Sequence, residues 1–320
     1  MTPVELGHTF PWITIGLTCY NAAQTISRAL DSIQSQDWPN IEILIVDDAS
    51  SDESFDILLN RSKLDCRIRI IRHEFNLGCA AARNSIIKSA KGEFLAFFDD
   101  DDVSDSSRLR LQYECITQYE KKVGSQSVAC YASGHRIYSN GYVMPFTAVG
   151  TKDSVPVGLQ MADYLLFFKR LPGISYGGTP TCSLMARTSI FRNLGGFDIE
   201  MQRQEDVDFA VRLSFQGGHF IGIPEFVITQ YATGGSEKSA SIEQKSALYL
   251  LKKNIAYLQA KDCYLYMQLW VRMRYCHFGN KNGKALFFLL VLVLIYPRRT
   301  ISHFVKSATH RFQHEKLMKA

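Results

Sequence analysis

The sequence predicts an α/β fold with a mostly parallel central sheet flanked by helices, followed by a C-terminal helical extension. Apolar strand segments alternate with helical segments through the first part of the chain, the order that parallel strands joined by crossover helices produce. The second strand segment, residues 41–46, is nearly all apolar, as expected for a strand covered on both faces. Polar clusters directly follow three strands, which is where ligands bind in sheets of this kind.

The elements can be assigned in chain order from apolar periodicity and from the residues that end each segment. The predicted strands span 12–18, 41–46, 67–71 and 93–98, with helices over about 22–36, up to 64, and 79–90 between them. Asn21 is expected to cap the first helix. Later we expect a helix over 106–122, one or two strands over 128–138, a hairpin turn at Asn140-Gly141, a helix over 161–169, short strands at 220–224 and 226–229, and one or two helices over 243–278.

Charge is distributed unevenly along the 320 residues. Residues 251–320 hold 13 Lys and Arg against 2 Asp and Glu, whereas residues 1–250 hold 23 against 29. A basic tail on an acidic body favours a membrane or nucleic-acid surface as the partner of the tail. Since no nucleic-acid-binding motif accompanies the charge, we expect no nucleic-acid partner.

Cysteine usage and the N-terminal sequence both favour the cytoplasm. None of the eight cysteines is spaced as Cys-x-x-Cys, and several lie in apolar runs, which predicts buried reduced thiols. The N-terminal segment lacks a basic stretch followed by an apolar run, so no signal peptide is expected.

Residues 94–102 join an apolar strand to four consecutive aspartates, 99–102. Adjacent negative charges repel one another, so such a run is unfavourable unless a cation neutralises it. Mg²⁺ or Mn²⁺ fits, because hard divalent cations bind one or two carboxylates together with substrate phosphates. The alternative is a solvated acidic turn before the helix near Ser106. Polar clusters at 18–20 and 47–48 also follow strands, and this shared placement favours a metal–nucleotide site.

Four motifs, in an order and at spacings that are specific together, carry a family resemblance. They are Thr18-x-Tyr20-Asn21, Val46-Asp47-Asp48-Ala49-Ser50-x-Asp52, Asn76-x-Gly78-x-Ala80-x-Ala82-Arg83-Asn84, and Gly92-Glu93-Phe94 with Phe98 and the four aspartates. Over residues 11 to about 235 the chain resembles family-2 glycosyltransferases of the GT-A fold, whose sheet is Rossmann-like. The resemblance implies a nucleotide-sugar donor with Mg²⁺ or Mn²⁺ on its diphosphate.

The resemblance also implies roles for residues of the donor site. Thr18 and Tyr20 would line the nucleobase pocket, Asp48 would hydrogen-bond the base, and Arg83 would lie near the base or the phosphates. Each residue has a structural alternative. Tyr20 could pack on the following helix, Asp48 could be a turn residue, and Arg83 could be a cation on a helix surface.

In the acidic run, the family's Asp-x-Asp motif matches Asp99-x-Asp101, and Asp102 matches the aspartate that commonly follows it. The resemblance therefore implies Asp99, Asp101 and Asp102 as metal ligands, with Asp99 and Asp100 also in the donor site. Asp100 occupies a position where a small residue is common, so the assignment of ligands is open by one position.

A second acidic motif follows Gly195-Gly196-Phe197-Asp198, as in the family resembled. Glu205 and Asp206 would open a helix, where backbone N–H groups favour negative charge, and complementing the helix dipole could be their whole role. Attack by an acceptor hydroxyl also requires a base. By resemblance Asp206 is the base, which suggests inversion, and Glu205 orients it or binds the acceptor. Asp208 is expected to face solvent.

Two loops are expected to complete the site. Residues 145–180 would set acceptor and sugar specificity. After Tyr231, many members of the family carry an arginine and then a histidine that can ligate the metal, but here these positions read Ala232 and approximately Gly234. Water or phosphate oxygens would then complete the metal shell. The glycine and serine content of 231–239 predicts a mobile lid.

The tail divides the chain into a catalytic domain, 1–240, and a basic helical extension, 241–320. Residues 285–296 are apolar but fall short of the ~20 residues that span a bilayer. Basic residues on both sides, with Trp and Tyr nearby, favour attachment to a membrane surface. The alternative is a helix packed on the catalytic domain.

Together these features predict an inverting, metal-dependent glycosyltransferase that uses a nucleotide diphosphate sugar, with a UDP-sugar favoured. The expected acceptor is a lipid-linked saccharide in the biosynthesis of a surface polysaccharide such as O-antigen, capsule or lipopolysaccharide, at the cytoplasmic face of the cell membrane. The alternative is a nucleotide-sugar-binding or scaffolding protein on the same fold that has lost catalysis. A dinucleotide-dependent oxidoreductase is not expected, because no Gly-x-Gly-x-x-Gly loop follows the first strand.

Overall fold

The computed structural model describes residues 10–152, 154–232 and 240–304. Its strands are β1 (Ile13–Cys19), β2 (Ile41–Asp47), β3 (Ile68–Arg72), β4 (Phe94–Asp99), β5 (Val103–Ser104), β6 (Val128–Ile137), β7 (Val143–Phe146), β8 (Leu184–Arg187) and β9 (His219–Tyr231). Its helices are α1 (Ile26–Gln34), α2 (Ser54–Leu64), α3 (Cys79–Ser89), α4 (Arg108–Val123), α5 (Leu159–Phe167), α6 (Thr188–Asn193), α7 (Glu205–Phe215), α8 (Ala240–Lys253), α9 (Ile255–Ala260), α10 (Tyr264–Phe278) and α11 (Asn282–Ile295).

The strands form one sheet in the order β3-β2-β1-β4-β8-β6-β9-β5, with β7 paired to β6. Strands β3, β2, β1 and β4 are parallel to one another, and β6 is parallel to β9. β8 is antiparallel to both of its neighbours and joins these two parts. The predicted mostly parallel sheet with flanking helices is confirmed. Because the strand order reverses between β1 and β4, a crevice forms outside their carboxyl ends.

Alternate residues of the central strands belong to two different hydrophobic cores, because successive side chains of a strand point to opposite faces of the sheet. Ile43 and Ile45 pack in the core that contains the apolar face of α1. Leu44 and Val46 pack in the core that contains α3 and α6. The apolar run of β2 is therefore explained by burial on both faces.

A third core joins the C-terminal helices to the rest of the molecule. Leu250 of α8 and Trp270 of α10 are buried together with Leu166 of α5 and Val211 of α7. The C-terminal helical unit, defined here as residues 240–304, is thus packed against the helices that follow the main sheet strands.

Helix α11 has one face against α10 and one face in solvent. Ala285 and Leu292 are buried, whereas Leu286, Leu290 and Leu294 on the opposite side are more than half exposed. Among residues 10–152, 154–232 and 240–304, no helix has both the length and the apolar character needed to cross a bilayer.

The prediction that Asn21 caps the first helix is wrong. Asn21 has a left-handed φ of 50°, and its Oδ1 accepts a hydrogen bond from Ser51 N at 2.8 Å. The side chain therefore reaches across to the loop after β2, and the regular helix begins only at Ile26.

Two later segments differ from their expected division. The two short strands expected between 220 and 229 are one strand, β9. Its register with β6 shifts on both sides of Ser133, and this irregularity accommodates Pro224 without ending the strand. The region 243–278 contains three helices, because Asn254 separates α8 from α9 and Asp262, with a φ of 51°, follows the end of α9.

Candidate active site

The crevice between β1 and β4 opens into a cleft of about 570 Å³. Parallel neighbours bring their carboxyl ends to the same edge, so Thr18 lies opposite both Val46 and Asp99 in the sheet register. The residues predicted from sequence that line the cleft are Thr18, Tyr20, Asp48, Arg83, Asp99, Asp100, Asp101 and Glu205. The other two, Asp102 and Asp206, adjoin this lining in sequence but are not part of it.

Two elements hold the middle of the acidic run. The Asp100 carboxylate accepts a hydrogen bond from Tyr20 N at 3.1 Å, and the Asp101 carbonyl accepts one from Arg28 Nη2 at 2.8 Å. The Arg28 guanidinium also stacks on the Tyr231 ring at 3.8 Å. Contacts from the turn after β1 and from α1 therefore hold the run at the mouth of the cleft, and Tyr231 of β9 supports the α1 contact by stacking on Arg28.

The acidic run brings several carboxylates close together in a buried setting. Burial raises the pKa of Asp100 to about 7 and that of Asp102 to about 8, and the neighbouring carboxylates add to both shifts. Burial also raises the pKa of Asp99, although the charge of Arg83 opposes that shift. Buried carboxylates that repel one another in this way favour a bound cation.

A buried arginine fixes the strand end beneath the run. The Arg108 guanidinium donates to Phe97 O at 2.8 Å, to Ser104 Oγ at 3.0 Å and to Gln112 Oε1 at 3.1 Å. Only 1% of Arg108 is exposed, and burial lowers its pKa to about 10. The guanidinium ties β4, β5 and α4 together below the aspartates.

The donor atoms near the run fit a divalent cation. Asp99 and Asp102 each offer a carboxylate oxygen, and Cys182 offers its Sγ, with the three atoms within 4.8 Å of one another. Asp101, also predicted as a ligand, is not part of this group. The Cys182 sulfur accepts a hydrogen bond from Gln230 Nε2 at 2.9 Å. Two carboxylates match the protein ligands that Mg²⁺ or Mn²⁺ takes when phosphate and water supply the rest.

Arg83 of α3 joins the two groups of carboxylates across the cleft. Its Nη1 lies 2.5 Å from Glu205 Oε1, and its Nη2 lies 3.5 Å from Asp99 Oδ1. Because only 6% of Arg83 is exposed, it is not a cation on a helix surface, and solvent screens these ion pairs weakly.

Asp206 lies beside Glu205 in the first turn of α7, as predicted. Its Oδ1 accepts a hydrogen bond from Val207 N at 2.8 Å. Burial raises the pKa of Asp206 to about 7, and Glu205 adds to this shift, while Arg83 and Arg203 oppose it. A carboxylate with a pKa near neutrality can accept a proton efficiently at that pH.

The Gly195-Gly196-Phe197 turn explains how α7 is placed beside α3. Asn84 Oδ1 accepts a hydrogen bond from Phe197 N at 2.7 Å, and Asn84 Nδ2 donates to Phe197 O at 2.8 Å. A Cβ on Gly196, which has a φ of 73°, would lie 2.3 Å from Asn84 Oδ1. Two motifs that are far apart in sequence thus form one contact behind the cleft.

Asp48 organises the wall of the cleft that follows β2. Its carboxylate accepts hydrogen bonds from Leu77 N at 3.0 Å and Gly78 N at 2.8 Å, and Oδ1 lies 2.6 Å from His73 Nδ1. His73 Nε2 in turn lies 2.8 Å from Ser85 Oγ. Asp48 therefore shapes the loop before α3, a role beyond that of a local turn residue.

The remaining predicted donor-site residues, Thr18 and Tyr20, lie at the mouth of the cleft. Tyr20 is 44% exposed and lines the cleft, so its side chain is accessible to a ligand. Thr18 Oγ1 lies 3.8 Å from Cys79 Sγ, next to the start of α3. Both side chains can contact a ligand bound between β1 and α3.

The expectation that Asp208 faces solvent is wrong. Its side chain is buried, with ion pairs to Arg212 at 2.8 Å and to Lys253 at 2.7 Å. The reason is that α8, which carries Lys253, covers this face of α7.

Sequence reasoning missed Arg28, Arg108, Cys182 and Gln230. Arg28 reads as an ordinary polar position of an amphipathic helix, and Cys182 as one more buried thiol; all eight cysteines are free thiols. Gln230 directly precedes Tyr231, so its only signal in the sequence was its position next to the expected closing loop. Ala232 follows the end of β9, whereas Gly234 and the rest of that loop lie outside the described residues.

Comparisons with known sequences agree with this geometry. The model of the family described as glycosyl transferase family 2 matches residues 14–191. The Escherichia coli protein named UDP-Glc:alpha-D-GlcNAc-diphosphoundecaprenol beta-1,3-glucosyltransferase WfaP is 32% identical over 203 residues, 63% of this chain and 69% of that protein. The amylovoran biosynthesis glycosyltransferase AmsB of Erwinia amylovora is 25% identical over 282 residues, 85% of this chain and 86% of that protein.

Solved structures of low sequence identity share the fold. S. aureus TarS in complex with UDP-GlcNAc has a TM-score of 0.59 at 17% identity, covering 90% of this chain and 82% of that one. The mannosyltransferase PcManGT of Pyrobaculum calidifontis, in complex with GDP-Man and Mn²⁺, has a TM-score of 0.57 at 14% identity, covering 95% and 81%. The matched family and the fold it implies agree with the resemblance first drawn from the four motifs, and this chain belongs to glycosyl transferase family 2.

Proposed function

We propose that this glycosyltransferase moves a sugar, with inversion, from a nucleotide diphosphate sugar to a hydroxyl of a lipid-linked saccharide, and that it requires Mg²⁺ or Mn²⁺. A UDP-sugar is the favoured donor. The observation that carries the proposal is the position of Arg83, whose guanidinium contacts Asp99 on one side of the cleft and Glu205 on the other. The group for the leaving diphosphate and the group for the attacking hydroxyl would thus face one reaction centre.

On the acceptor side, Asp206 would accept the proton of the attacking hydroxyl. The acceptor oxygen then forms a bond to the anomeric carbon while the bond from that carbon to the diphosphate breaks, and the diphosphate leaves with the electron pair. A single displacement of this kind inverts the anomeric configuration. Glu205, held by Arg83, would orient the acceptor beside Asp206.

On the donor side, Tyr20 and Thr18 would contact the nucleobase, and Asp48 would bind it or shape the loop that does so. Asp99 and Asp102 would hold the divalent cation, which stabilises the negative charge of the departing diphosphate when it is bound. Asp100 and Asp101 would complete the acidic wall around the diphosphate.

The proposed acceptor class is supported by the Escherichia coli relative WfaP, whose name gives its acceptor as a diphosphoundecaprenol-linked sugar. We propose a role in surface polysaccharide biosynthesis at the inner face of the cell membrane, with peripheral attachment through α11. The supporting observation is an exposed apolar stripe on α11 flanked by exposed basic residues. The stripe is formed by Leu286, Phe287, Leu290, Val293 and Leu294, and the basic residues are Lys281, Lys284, Arg298 and Arg299.

The test is a transfer assay with full-length protein, a panel of UDP- and GDP-sugars, Mn²⁺, and an undecaprenyl-diphosphate-linked saccharide, with the anomeric configuration of the product read by NMR. Asp206→Asn is expected to lower kcat by roughly 100-fold or more, because a general base contributes about 10²–10⁴. Glu225→Gln, which changes an exposed carboxylate, should leave kcat unchanged.

Two outcomes would contradict the proposal. Turnover by Asp206→Asn at the wild-type rate would remove the assigned base. Donor binding without transfer to any member of a broad acceptor panel would instead support the alternative, a nucleotide-sugar-binding protein that has lost catalysis.

A further inference from the structure

The segment that leads into α7 contacts the C-terminal helical unit through a ring of polar side chains. Arg203 Nε donates to Glu243 Oε1 at 3.0 Å. Tyr275 Oη donates to Glu243 Oε2 at 3.3 Å and accepts a hydrogen bond from Gln204 Nε2 at 3.4 Å. One carboxylate on α8 and one hydroxyl on α10 thus hold the two residues that directly precede Glu205.

Gln204 needs such support because of its backbone conformation. Its φ of 65° lies in the left-handed region, which is unfavourable for a residue with a side chain and persists where surrounding contacts impose it. This sharp turn sets the direction in which Glu205 and Asp206 leave the loop and begin α7. Tyr275 is the partner of the Gln204 amide nitrogen.

A second tie joins α8 to both ends of the same loop. Lys253 Nζ lies 2.6 Å from Asp198 Oδ2 and 2.7 Å from Asp208 Oδ1. Asp198 ends the Gly-Gly-Phe-Asp motif, and Asp208 lies in the first turn of α7, two residues after Asp206. Between these ties, Met201 is buried in the core formed with the C-terminal helices.

Charge also links this ring to Asp206. Among the described residues, Glu205 raises the pKa of the Asp206 carboxyl group, whereas Arg83 and Arg203 lower it. The charge of Asp206 in turn raises the pKa of the buried Tyr131 hydroxyl. Of these, Arg203 is the one paired with the C-terminal helical unit. Glu243 therefore helps to fix the position of Arg203, a cation that lowers the pKa of Asp206.

We propose that Glu243 and Tyr275 are positioning residues for the catalytic carboxylates, so that the C-terminal helical unit is part of the catalytic apparatus as well as a candidate membrane anchor. This inference rests on the proposed function, because it takes Asp206 as the base. Thr18, Tyr20, Asp48 and Asp99 on the donor side are not partners in these contacts, although Arg203 lines the same cleft, so loss of the ring should change turnover and leave donor affinity intact.

The test compares kcat and donor KM for Glu243→Gln and Tyr275→Phe in the detergent-solubilised full chain, so that membrane binding does not enter. We expect kcat to fall about 10- to 100-fold with donor KM unchanged, since a misplacement of about 1 Å can cost about 100-fold. Tyr249→Phe, which removes a hydroxyl from an exposed position of α8, should leave kcat unchanged. Glu243→Asp should restore part of the lost kcat, because it returns the carboxylate.

The outcomes separate the inference from the proposed function. If Asp206→Asn is inactive but Glu243→Gln and Tyr275→Phe keep the wild-type kcat, the inference is overturned and the base assignment stands. A parallel loss of kcat, donor affinity and melting temperature would also overturn it, because that pattern marks general destabilisation. Full turnover by Asp206→Asn would overturn both.

Discussion

At the scale of single residues, the protonation of Asp206 connects structure to pH dependence. Burial raises its pKa from 3.8 to about 7, so the carboxyl group is half protonated near neutrality. Only the deprotonated form can accept a proton, so kcat should rise with pH through about 7 and level off above it. A pH–rate profile under saturating donor and acceptor checks this, and a profile that is flat between about pH 5.5 and 8.5 would contradict it.

The raised pKa of Asp206 also makes the stability of the folded protein depend on pH. Between its unfolded pKa of 3.8 and about 7, Asp206 binds more protons in the folded protein than in the unfolded chain. Its contribution to the free energy of unfolding therefore falls as pH rises through this window. Asp206→Asn should remove that slope, so its melting temperature should depend less on pH than that of the wild type.

A second residue-scale prediction concerns the cation. Mn²⁺ should raise the melting temperature of the wild type, because a ligand that binds only the folded state adds about 2.7 kcal/mol at 100 times its Kd. Asp102→Asn should lose most of this increase, because it removes one of the two carboxylates near Cys182.

Thermal unfolding with EDTA or Mn²⁺ makes the measurement. Asp56→Asn, at an exposed position of α2, is the matched control and should keep the full Mn²⁺ shift. An equal shift in Asp102→Asn would show that the cation is held elsewhere.

The sequence revealed the residues whose signal is local and missed those whose partners are distant. Asp99 and Asp206 each follow a readable pattern, an apolar strand in one case and a helix start in the other. The contact of Arg28 with Asp101 joins residues that are 73 positions apart, and nothing in either local pattern encodes it. Asp208 was misjudged because the helix that covers it comes later in the chain.

At the scale of elements, β1 to β4 and the helices between them could be predicted because apolar strand segments alternate with helical segments and turn residues separate them. The division of β9 could not, since a bulge rather than a break accommodates Pro224. The three helices of 240–278 were also merged, because no proline or glycine marks the left-handed turn at Asp262.

The exposed face of α11 supports an element-scale prediction. Replacing Leu290 and Leu294 together by Glu should reduce binding to anionic phosphatidylglycerol vesicles by more than tenfold, because burying each side chain contributes roughly 1.5–3 kcal/mol. Vesicle flotation measures the change.

The matched control is Leu59→Glu together with Leu64→Glu, which adds the same two charges at exposed leucines of α2. It should bind vesicles as the wild type does. If the α11 variant floats as well as this control, attachment through α11 is wrong. Weaker binding to neutral phosphatidylcholine would indicate that Lys284 and Arg298 contribute through charge.

At the scale of the whole molecule, the sequence suggested a catalytic domain followed by a separate extension. The packing joins them more closely, because Leu250 and Trp270 share a core with Leu166 and Val211. That contact could not be predicted from the sequence, because the apolar residues of α5 and α7 indicate a buried face but do not identify the helix that covers it. The division at residue 240 remains a proposal about folding units.

This packing also fixes the distance between α11 and the active site. Helix α11 packs on α10, and α10 holds Gln204 at the start of α7, so the distance from the exposed apolar stripe to Asp206 is set by contacts between helices. With α11 resting on a bilayer, the active site would stand at one height above the lipid. On the proposed function, the enzyme would then favour acceptors whose terminal hydroxyl lies at that distance from the lipid.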